Sequence, residues 1–470
     1  MIIEQIYTGC LAQGAYYIES NGEAAIIDPL RESDPYLKMA EQKGAKIKYV
    51  FETHFHADFV SGHIDLANKS GAQIIYGPLA ETKYEKYMAK DGEEFPIGDL
   101  TIKVLHTPGH TMESTTYLLL DQDKNPHAIF TGDTLFIGDV GRPDLAQKAG
   151  KITKEDLAGM LYDSLREKIM VLPDEVIVYP AHGAGSACGK NMSKETFDTL
   201  GNQKMTNYAL RADLDKAGFI KEVTDGLAPP PQYFAKNASM NKEGYLDLES
   251  IKKQGSRKLS PKEFEEAANQ ENALMLDVRN RESFVSGYIP NSIFIGLDGS
   301  FAPWVGALIT DIKQPILLIA EKGKEDEAIT RLARVGYDNA IGYLDGGFDA
   351  WKSEGREVET IESIKAEEFA TKYKNQSTIN VLDVRKPGEF SASHVKNAQN
   401  FALDFINSNM SEIDKDKKYF IHCAGGYRST ISSSILKARG FHNFVNVQDS
   451  FANISETTVP LEAGASCGTH

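Results

Sequence analysis

The chain of 470 residues has no apolar run long enough to span a bilayer, which excludes a helical membrane protein. It is short of positive charge, with 51 Lys and Arg against 67 Asp and Glu, a net of −16. A surface this acidic repels phosphate backbones, so nucleic acid is not an expected partner. Cysteine is scarce: Cys10, Cys188, Cys423 and Cys467 lie far apart and form no CxxC pair. That excludes a disulfide framework and a thiolate zinc site, and each thiol stands alone. The opening MIIEQIYTGCLAQ has neither a basic stretch nor a long apolar core. No secretory signal is read there, and a cytoplasmic location is the expectation.

What is present is a globular composition, 41% hydrophobic and 25% charged, in a length that calls for about two to four domains. In the first half, short apolar runs alternate with turn residues. The pattern predicts strands at 24–29, 47–54, 101–110, 115–120, 128–136 and 175–183. It predicts a helix over 155–169, where Leu157, Met160, Leu161, Leu165 and Ile169 recur at helical spacing. Residues 229–255 open on three prolines and then lose periodicity, so they read as the exit from a first domain, with a linker over 241–255.

The second half repeats itself. LDVRNRESFVSGYIPNS (276–292) matches LDVRKPGEFSASHVKNA (382–398). Each copy follows a helix-like segment and precedes an apolar strand, PILLIA (315–320) or KYFIHC (418–423), and then a second helix. Strand and helix in alternation predict two small α/β units with parallel sheets.

Two clusters of residues carry chemistry. In ETHFHADFVSGH (52–63), His54 and His56 are two apart at a strand end and point to one side. His110, Asp133 and His182 stand at the ends of other predicted strands, in HTPGH, FTGD and YPAHG. One histidine alone is usually packed or exposed. HxHxD, GH, GD and PAH at successive strand ends instead suit a divalent transition metal. The second cluster is KYFIHCAGGYRST (418–430), where Cys423 ends an apolar strand just before a helix. Such a loop turns backbone N–H groups inward, and the helix start adds positive potential; both favour thiolate over thiol.

Residues 1–240 resemble the metallo-β-lactamase fold, an αββα sandwich, through THFHADF (53–59), HTPGHT (106–111), FTGDTLF (130–136) and YPAHGAGS (179–186). Binuclear members such as glyoxalase II carry histidine directly after the motif aspartate. Here that residue is Phe59, which has no lone pair, so a single metal is expected. The resemblance is then to persulfide dioxygenases, mononuclear iron enzymes of this fold. It implies that His54, His110 and Asp133 hold one Fe(II) per chain, with zinc satisfying the same donors. It places His56, Asp58 and His182 beside the metal, His56 being the first candidate for an extra ligand. Arg142, in GDVGRPDL, resembles the arginine that helps bind glutathione in this family; an ion pair with Asp144 is the alternative. The family's tyrosine after the PAH histidine is missing from AHGAGSACG, which leaves the thiol open. His63 reads as a capping or surface residue and Cys188 as a buried, inert thiol.

The Cys423 segment resembles the active-site loop of rhodanese sulfurtransferases. The resemblance implies a nucleophile that carries a sulfane sulfur, cradled by Ala424, Gly425, Gly426, Tyr427, Arg428 and Ser429, with Arg428 stabilising the anion. Glu389 belongs to the same pattern, and Asp383 and Arg385 are expected to form an internal ion pair. The first repeat has no cysteine in PILLIAEKGKEDEAITRL (315–332), so it is expected to be catalytically silent. Cys467 reads as part of a frayed tail.

In this order the chain resembles persulfide dioxygenase–sulfurtransferase fusions: a dioxygenase domain over 1–240, a linker over 241–255, a silent rhodanese-like domain over 256–357, and an active rhodanese domain with its tail over 358–470. The implied function is oxidation of a low-molecular-weight persulfide, glutathione persulfide or similar, by O2 to sulfite. Sulfur transfer through Cys423 would then make or use thiosulfate in sulfide detoxification. Two other readings stay open. One is a glyoxalase II-like thioester hydrolase fused to a sulfurtransferase, against which Phe59 argues. The other is a sulfur carrier or adaptor on a vestigial scaffold, against which His54, His110 and Asp133 argue. Neither nucleic acid nor membrane is an expected partner, and a homo-oligomer is compatible with the sequence.

Overall fold

The computed structural model describes residues 1–147, 151–375 and 379–463. Contacts divide the chain into two compact units, Met1–Ser250 with Ala333–Gly336, and Ile251–Leu332 with Tyr337 onward. Among the described residues no helix is long and apolar enough to cross a membrane.

The first unit is built on two six-stranded sheets. One runs in order from Ile2–Thr8 (β1) through Gln13–Ser20 (β2), Glu23–Ile27 (β3), Lys46–Glu52 (β4) and Gln73–Tyr76 (β5) to Tyr87–Met88 (β6). The other is formed by Glu94–Ile97 (β7), Leu100–His106 (β8), Thr115–Leu120 (β9), Pro126–Gly132 (β10), Ile177–Pro180 (β11) and Asp198–Thr199 (β12), again in chain order.

Strand alternation sorts the side chains into layers. On β2, Tyr16 and Ile18 face a core shared with Tyr117 and Leu119 of β9 and with Phe51, Ile102 and Phe130. Ala15 and Tyr17 turn the other way, onto Tyr36, Ala40 and Leu66 of the helices Asp34–Lys43 and His63–Ser70. On β9, Leu118 and Leu120 meet Leu161, Leu165 and Phe219 on the far side. The result is an αββα sandwich.

The helix expected over 155–169 is Lys154–Ser164, opened by a Thr153–Asp156 capping box and continued by a π turn over Leu165–Ile169. Residues 229–255 differ from expectation. They hold two helices, Phe234–Glu243 and Leu248–Gly255. Their polar composition hides the period, because the first buries only Phe234 and two asparagines, Asn237 and Asn241.

The second unit carries two five-stranded, all-parallel sheets with one strand order. The first consists of Lys258–Leu259 (β13), Leu274–Asp277 (β14), Ile293–Phe294 (β15), Ile316–Ile319 (β16) and Ala340–Leu344 (β17), arranged β13-β17-β16-β14-β15. The second uses Ser363–Ile364 (β18), Asn380–Asp383 (β19), Gln399–Asn400 (β21), Tyr419–His422 (β22) and Phe444–Val447 (β23), arranged β18-β23-β22-β19-β21. A short antiparallel pair, His394–Val395 (β20) with Leu461–Glu462 (β24), lies outside this sheet. The repeated LDVR segments form the same device in each half. Arg279 pairs with Asp277 and donates to the Gly287 carbonyl, and Arg385 pairs with Asp383 and donates to the Ser393 carbonyl.

Candidate functional site

The metal candidates sit where strands of the first unit end. β4 runs into His54, the loop after β8 carries His110, Asp133 directly follows β10, and His182 follows β11. All four are buried. The end of β10 comes against the β4 end so closely that a Cβ on Gly132 would lie 2.6 Å from the Thr53 hydroxyl, and Gly132 has φ +53°.

One ligand atom each from His54, His110 and Asp133 lies within 4.8 Å of the others. Asp133 Oδ2 is 3.5 Å from His110 Nε2 and 3.8 Å from His54 Nε2, and it is buried without a hydrogen-bond partner. The hydrogen bonds on the far ring nitrogens explain why. His110 Nδ1 is 2.9 Å from the Arg142 carbonyl, which can only accept, so Nδ1 bears the proton. His54 Nδ1 is 2.9 Å from Thr53 Oγ1, whose own proton goes to Asp28 Oδ2 at 2.8 Å. Both rings therefore turn an Nε2 lone pair toward a carboxylate oxygen. Three electron-rich atoms facing one another in a buried place fit a cation, and imidazole with carboxylate suits a transition metal.

The flanking residues form two further groups. His182 lies between two carboxylates, with Nδ1 2.8 Å from Asp133 Oδ1 and Nε2 2.8 Å from Asp58 Oδ2. Burial disfavours its charged form, but Asp133 and Asp58 prevail and raise its pKa well above the usual value. Burial likewise pushes the Asp133 carboxyl up, and His182 and His54 more than reverse it, leaving it far below the usual range. For His54, burial and then the neighbouring His56 act together downward. His56 is not brought to the His54–His110–Asp133 donors; it belongs to the second flanking group, with Asp28 and Glu52. Its Nε2 is 3.1 Å from Asp28 Oδ1 and 3.6 Å from Glu52 Oε2. Phe59 is fully buried and lies against the His56 ring, with centroids 4.4 Å apart.

His63 is neither a cap nor a surface residue. It is fully buried at the first turn of helix His63–Ser70, 2.8 Å from the Tyr84 hydroxyl, and burial, then His56, pulls its pKa down to about 3. The Arg142 guanidinium is committed to Asp144 at 2.7 Å through both Nε and Nη2, and to the Ala187 and Ala228 carbonyls. Cys188 is buried, and burial, then Asp58, pushes its thiol well up, so it stays protonated. Cys467 lies outside the described residues.

Sequence reasoning missed Asp28, Glu52 and Asn241. Asp28 has φ +49° and accepts from Thr53 through both its N–H and its hydroxyl, and an acid after an apolar strand and before a proline was a readable signal. Glu52 accepts from the Ser61 hydroxyl, and burial, then Asp28, raises its carboxyl well above normal. Asn241 donates to the His56 and Phe59 carbonyls and accepts from the Ser61 N–H, pinning the motif loop. Nothing in its sequence neighbourhood announced that.

In the second unit, Cys423 directly follows β22 and is 1% exposed. The Gly426 N–H donates to its sulfur at 3.0 Å, and helix Tyr427–Ala438 begins at the next residue. Ser429 and Thr430 hydroxyls close back on the Gly426 carbonyl. Arg428 does not face the loop unpartnered. Its two Nη atoms bind both oxygens of Glu389 at 2.6 and 2.8 Å, which is the main reason the Glu389 carboxyl is lowered. In the first half the matching register position after β16 is Ala320.

Comparison with known proteins identifies the domain families of both units. The profile of the metallo-beta-lactamase superfamily matches residues 8–182, and that of the rhodanese-like domain matches 260–354 and 365–457. The chain is 30% identical to the mitochondrial persulfide dioxygenase ETHE1 of Homo sapiens over 46% of its own length and 78% of that protein. It is also 30% identical to a hydroxyacylglutathione hydrolase of Tolumonas auensis over 45% of its length and 70% of that protein. A crystal structure of a metallo-beta-lactamase from Staphylococcus aureus is 32% identical and superposes with a TM-score of 0.64, covering 73% of this chain and 98% of that one. The chain belongs to the metallo-beta-lactamase superfamily, as a fusion in which one domain of that fold precedes two rhodanese-like domains.

Proposed function

We propose that the protein oxidises a low-molecular-weight persulfide, such as glutathione persulfide, with O2 to sulfite, and moves sulfane sulfur through Cys423. Residues 1–240 would form the dioxygenase domain, 241–255 a linker, 256–357 a silent rhodanese-like domain and 358–470 the active one. One observation carries this reading. Donors from His54, His110 and Asp133 converge, while the residue after Asp58, where a second ion would need a ligand, is Phe59 packed on His56. An Fe(II) ion on these three donors would supply open coordination positions for persulfide and O2, and the persulfide's outer sulfur would give up the electrons that reduce O2.

The chain's own residues set the stage for it. The Arg142 carbonyl and Thr53 hydroxyl hold both imidazoles with Nε2 forward. His182 keeps its proton between Asp133 and Asp58 and so fixes the Asp133 carboxylate. Phe59 contributes an apolar wall. In the net reaction, persulfide, O2 and water give thiol and sulfite, with two sulfite oxygens from O2 and one from water. Cys423 thiolate then attacks the outer sulfur of another persulfide. The S–S bond breaks, the thiol leaves, and the cysteine persulfide hands its outer sulfur to sulfite as thiosulfate. Run backward, the same steps use thiosulfate.

Relatives with two activities stand at equal identity, so a thioester hydrolase is the second reading. Protein loaded with Fe(II) under anaerobic conditions and then given glutathione persulfide should take up O2 and release sulfite. Asp133→Ala should lower that uptake by about a thousandfold or more. Unchanged uptake removes Asp133 from the site. Hydrolysis of S-lactoylglutathione without any uptake replaces the proposal with the hydrolase.

A further inference from the structure

The half without a nucleophile reaches into the loop of the half that has one. Arg281 opens helix Arg281–Ser286 in the first rhodanese-like half, and its Nη1 donates to the Gly425 carbonyl at 2.5 Å. That carbonyl belongs to the same peptide as the Gly426 N–H, which donates to Cys423 Sγ. A trans peptide points its C=O and N–H in opposite directions, so a partner on one end aims the other. The plane lies between two glycines, and Gly426 sits at φ +85°, so no side chain hinders its rotation. A Cβ on Gly426 would lie 2.1 Å from Arg281 Nη1 and 2.4 Å from the Gln448 carbonyl, so the loop has no room for any other residue with Arg281 in place.

The arginine is itself held. Its Nε and Nη2 donate to Glu282 Oε1 at 3.1 and 2.7 Å, which leaves Nη1 for the loop. The two halves also meet independently of it. Tyr427 donates to the Gly296 carbonyl at 2.6 Å and packs on Gly299, and the Phe294 N–H donates to Ser434 Oγ at 3.0 Å. Arg428, the first cation after Cys423 in sequence, is spent on Glu389.

We propose that Arg281 is a positioning residue for Cys423. It locks the Gly425–Gly426 peptide with its N–H toward the sulfur, and its positive charge on the carbonyl polarises that N–H into a stronger donor to thiolate and persulfide. The first rhodanese-like half, which has alanine where a nucleophile would stand, thereby takes part in the chemistry of the second. This deepens the sulfur-transfer reading and rests on Cys423 being the carrier. The other titratable and charged groups near the loop are the Arg428–Glu389 pair, Asp404 near Arg428, His422 just before Cys423, Asp298 and Arg331 near Tyr427, Glu282 beside Arg281, and Glu321 near Asp298.

The test uses the full-length chain and iodoacetamide, with alkylation of Cys423 followed at the peptide level by mass spectrometry across a pH series. Arg281→Gln should move the alkylation profile to higher pH and slow modification at pH 7 by about threefold to tenfold. Arg281→Lys should recover part of the loss. Ser434→Ala breaks a different bond between the halves and should leave the profile in place. A wild-type profile in Arg281→Gln overturns the proposal, and so does an equal shift in Ser434→Ala, which would make it a packing effect. Alkylation is read apart from turnover. If Cys423→Ser leaves sulfur transfer intact, the carrier reading falls while the alkylation comparison still judges Arg281.

Discussion

The two rhodanese-like halves are near copies in scaffold and differ in the residues of one loop. Both have five parallel strands in one order, and both carry an Asp-x-Arg pair with a 2.6 Å contact that anchors the backbone eight residues after the arginine. They part at one loop. After β16 stand Ala320 and then Glu321-Lys-Gly-Lys before the next helix, whereas after β22 stand Cys423, Ala424 and two glycines. The difference teaches that the sheet fixes where such a loop lies, and that a few residues in it decide whether it can hold an anionic sulfur. The framework is the same in both halves because it is held by burial and ion pairing that do not involve the loop.

The sharpest way to break the comparison is to move the nucleophile. Cys423→Ser should abolish sulfur transfer from persulfide to sulfite, a loss of about a thousandfold or more, while sulfite formation from persulfide continues. Adding Ala320→Cys to that variant should not restore transfer, because the first loop lacks the glycine pair whose N–H meets the sulfur. Thiosulfate formation measured in the double variant decides it, and recovered transfer would mean that the thiol alone suffices.

A smaller effect sharpens the likeness. Asp277→Asn and Asp383→Asn each leave a buried arginine without its charge partner, so each should cost about 3–5 kcal/mol, and by similar amounts. Chemical denaturation followed by hydrogen exchange in each half measures this, and a large cost in only one half would show that the two scaffolds are not equivalent.

The smallest effect concerns acid. Glu389 is lowered chiefly by its bond to Arg428, so its folded-state pKa lies below the unfolded one of about 4.3. The stability this pair adds is present above that pH and is lost as pH falls through the folded value. Glu389→Gln should therefore flatten the fall in thermal midpoint below about pH 4.3, a modest change because the carboxylate is partly exposed. An acid slope identical to that of the parent would remove the pair from the stability of this half.

Much of the fold was legible because period and repetition are local properties. The apolar runs of β9 and β10 and the paired LDVR segments could be read without coordinates, whereas β2 was not among the predicted strands, and the strand-end histidines pointed to one edge of the sandwich. What stayed hidden depended on distant partners. Residues 234–243 looked structureless because their inward side chains include Asn237 and Asn241, and Asn241 has its partners at His56, Phe59 and Ser61. Arg142 offered two roles at equal weight until Asp144 and two carbonyls were seen to occupy it. His63 looked peripheral because nothing near it in sequence reveals Tyr84 or Glu52 as neighbours.

Asp133 spends its two oxygens on different tasks, one on His182 and the other toward His54 and His110. Asparagine, the same shape, has one oxygen to give and must turn an amino group to the other side. Glutamate has both oxygens but carries them a methylene farther out, away from the 2.8 Å contact with His182. The position thus has no near neighbour among the twenty side chains, and drift there has nowhere to go by single steps.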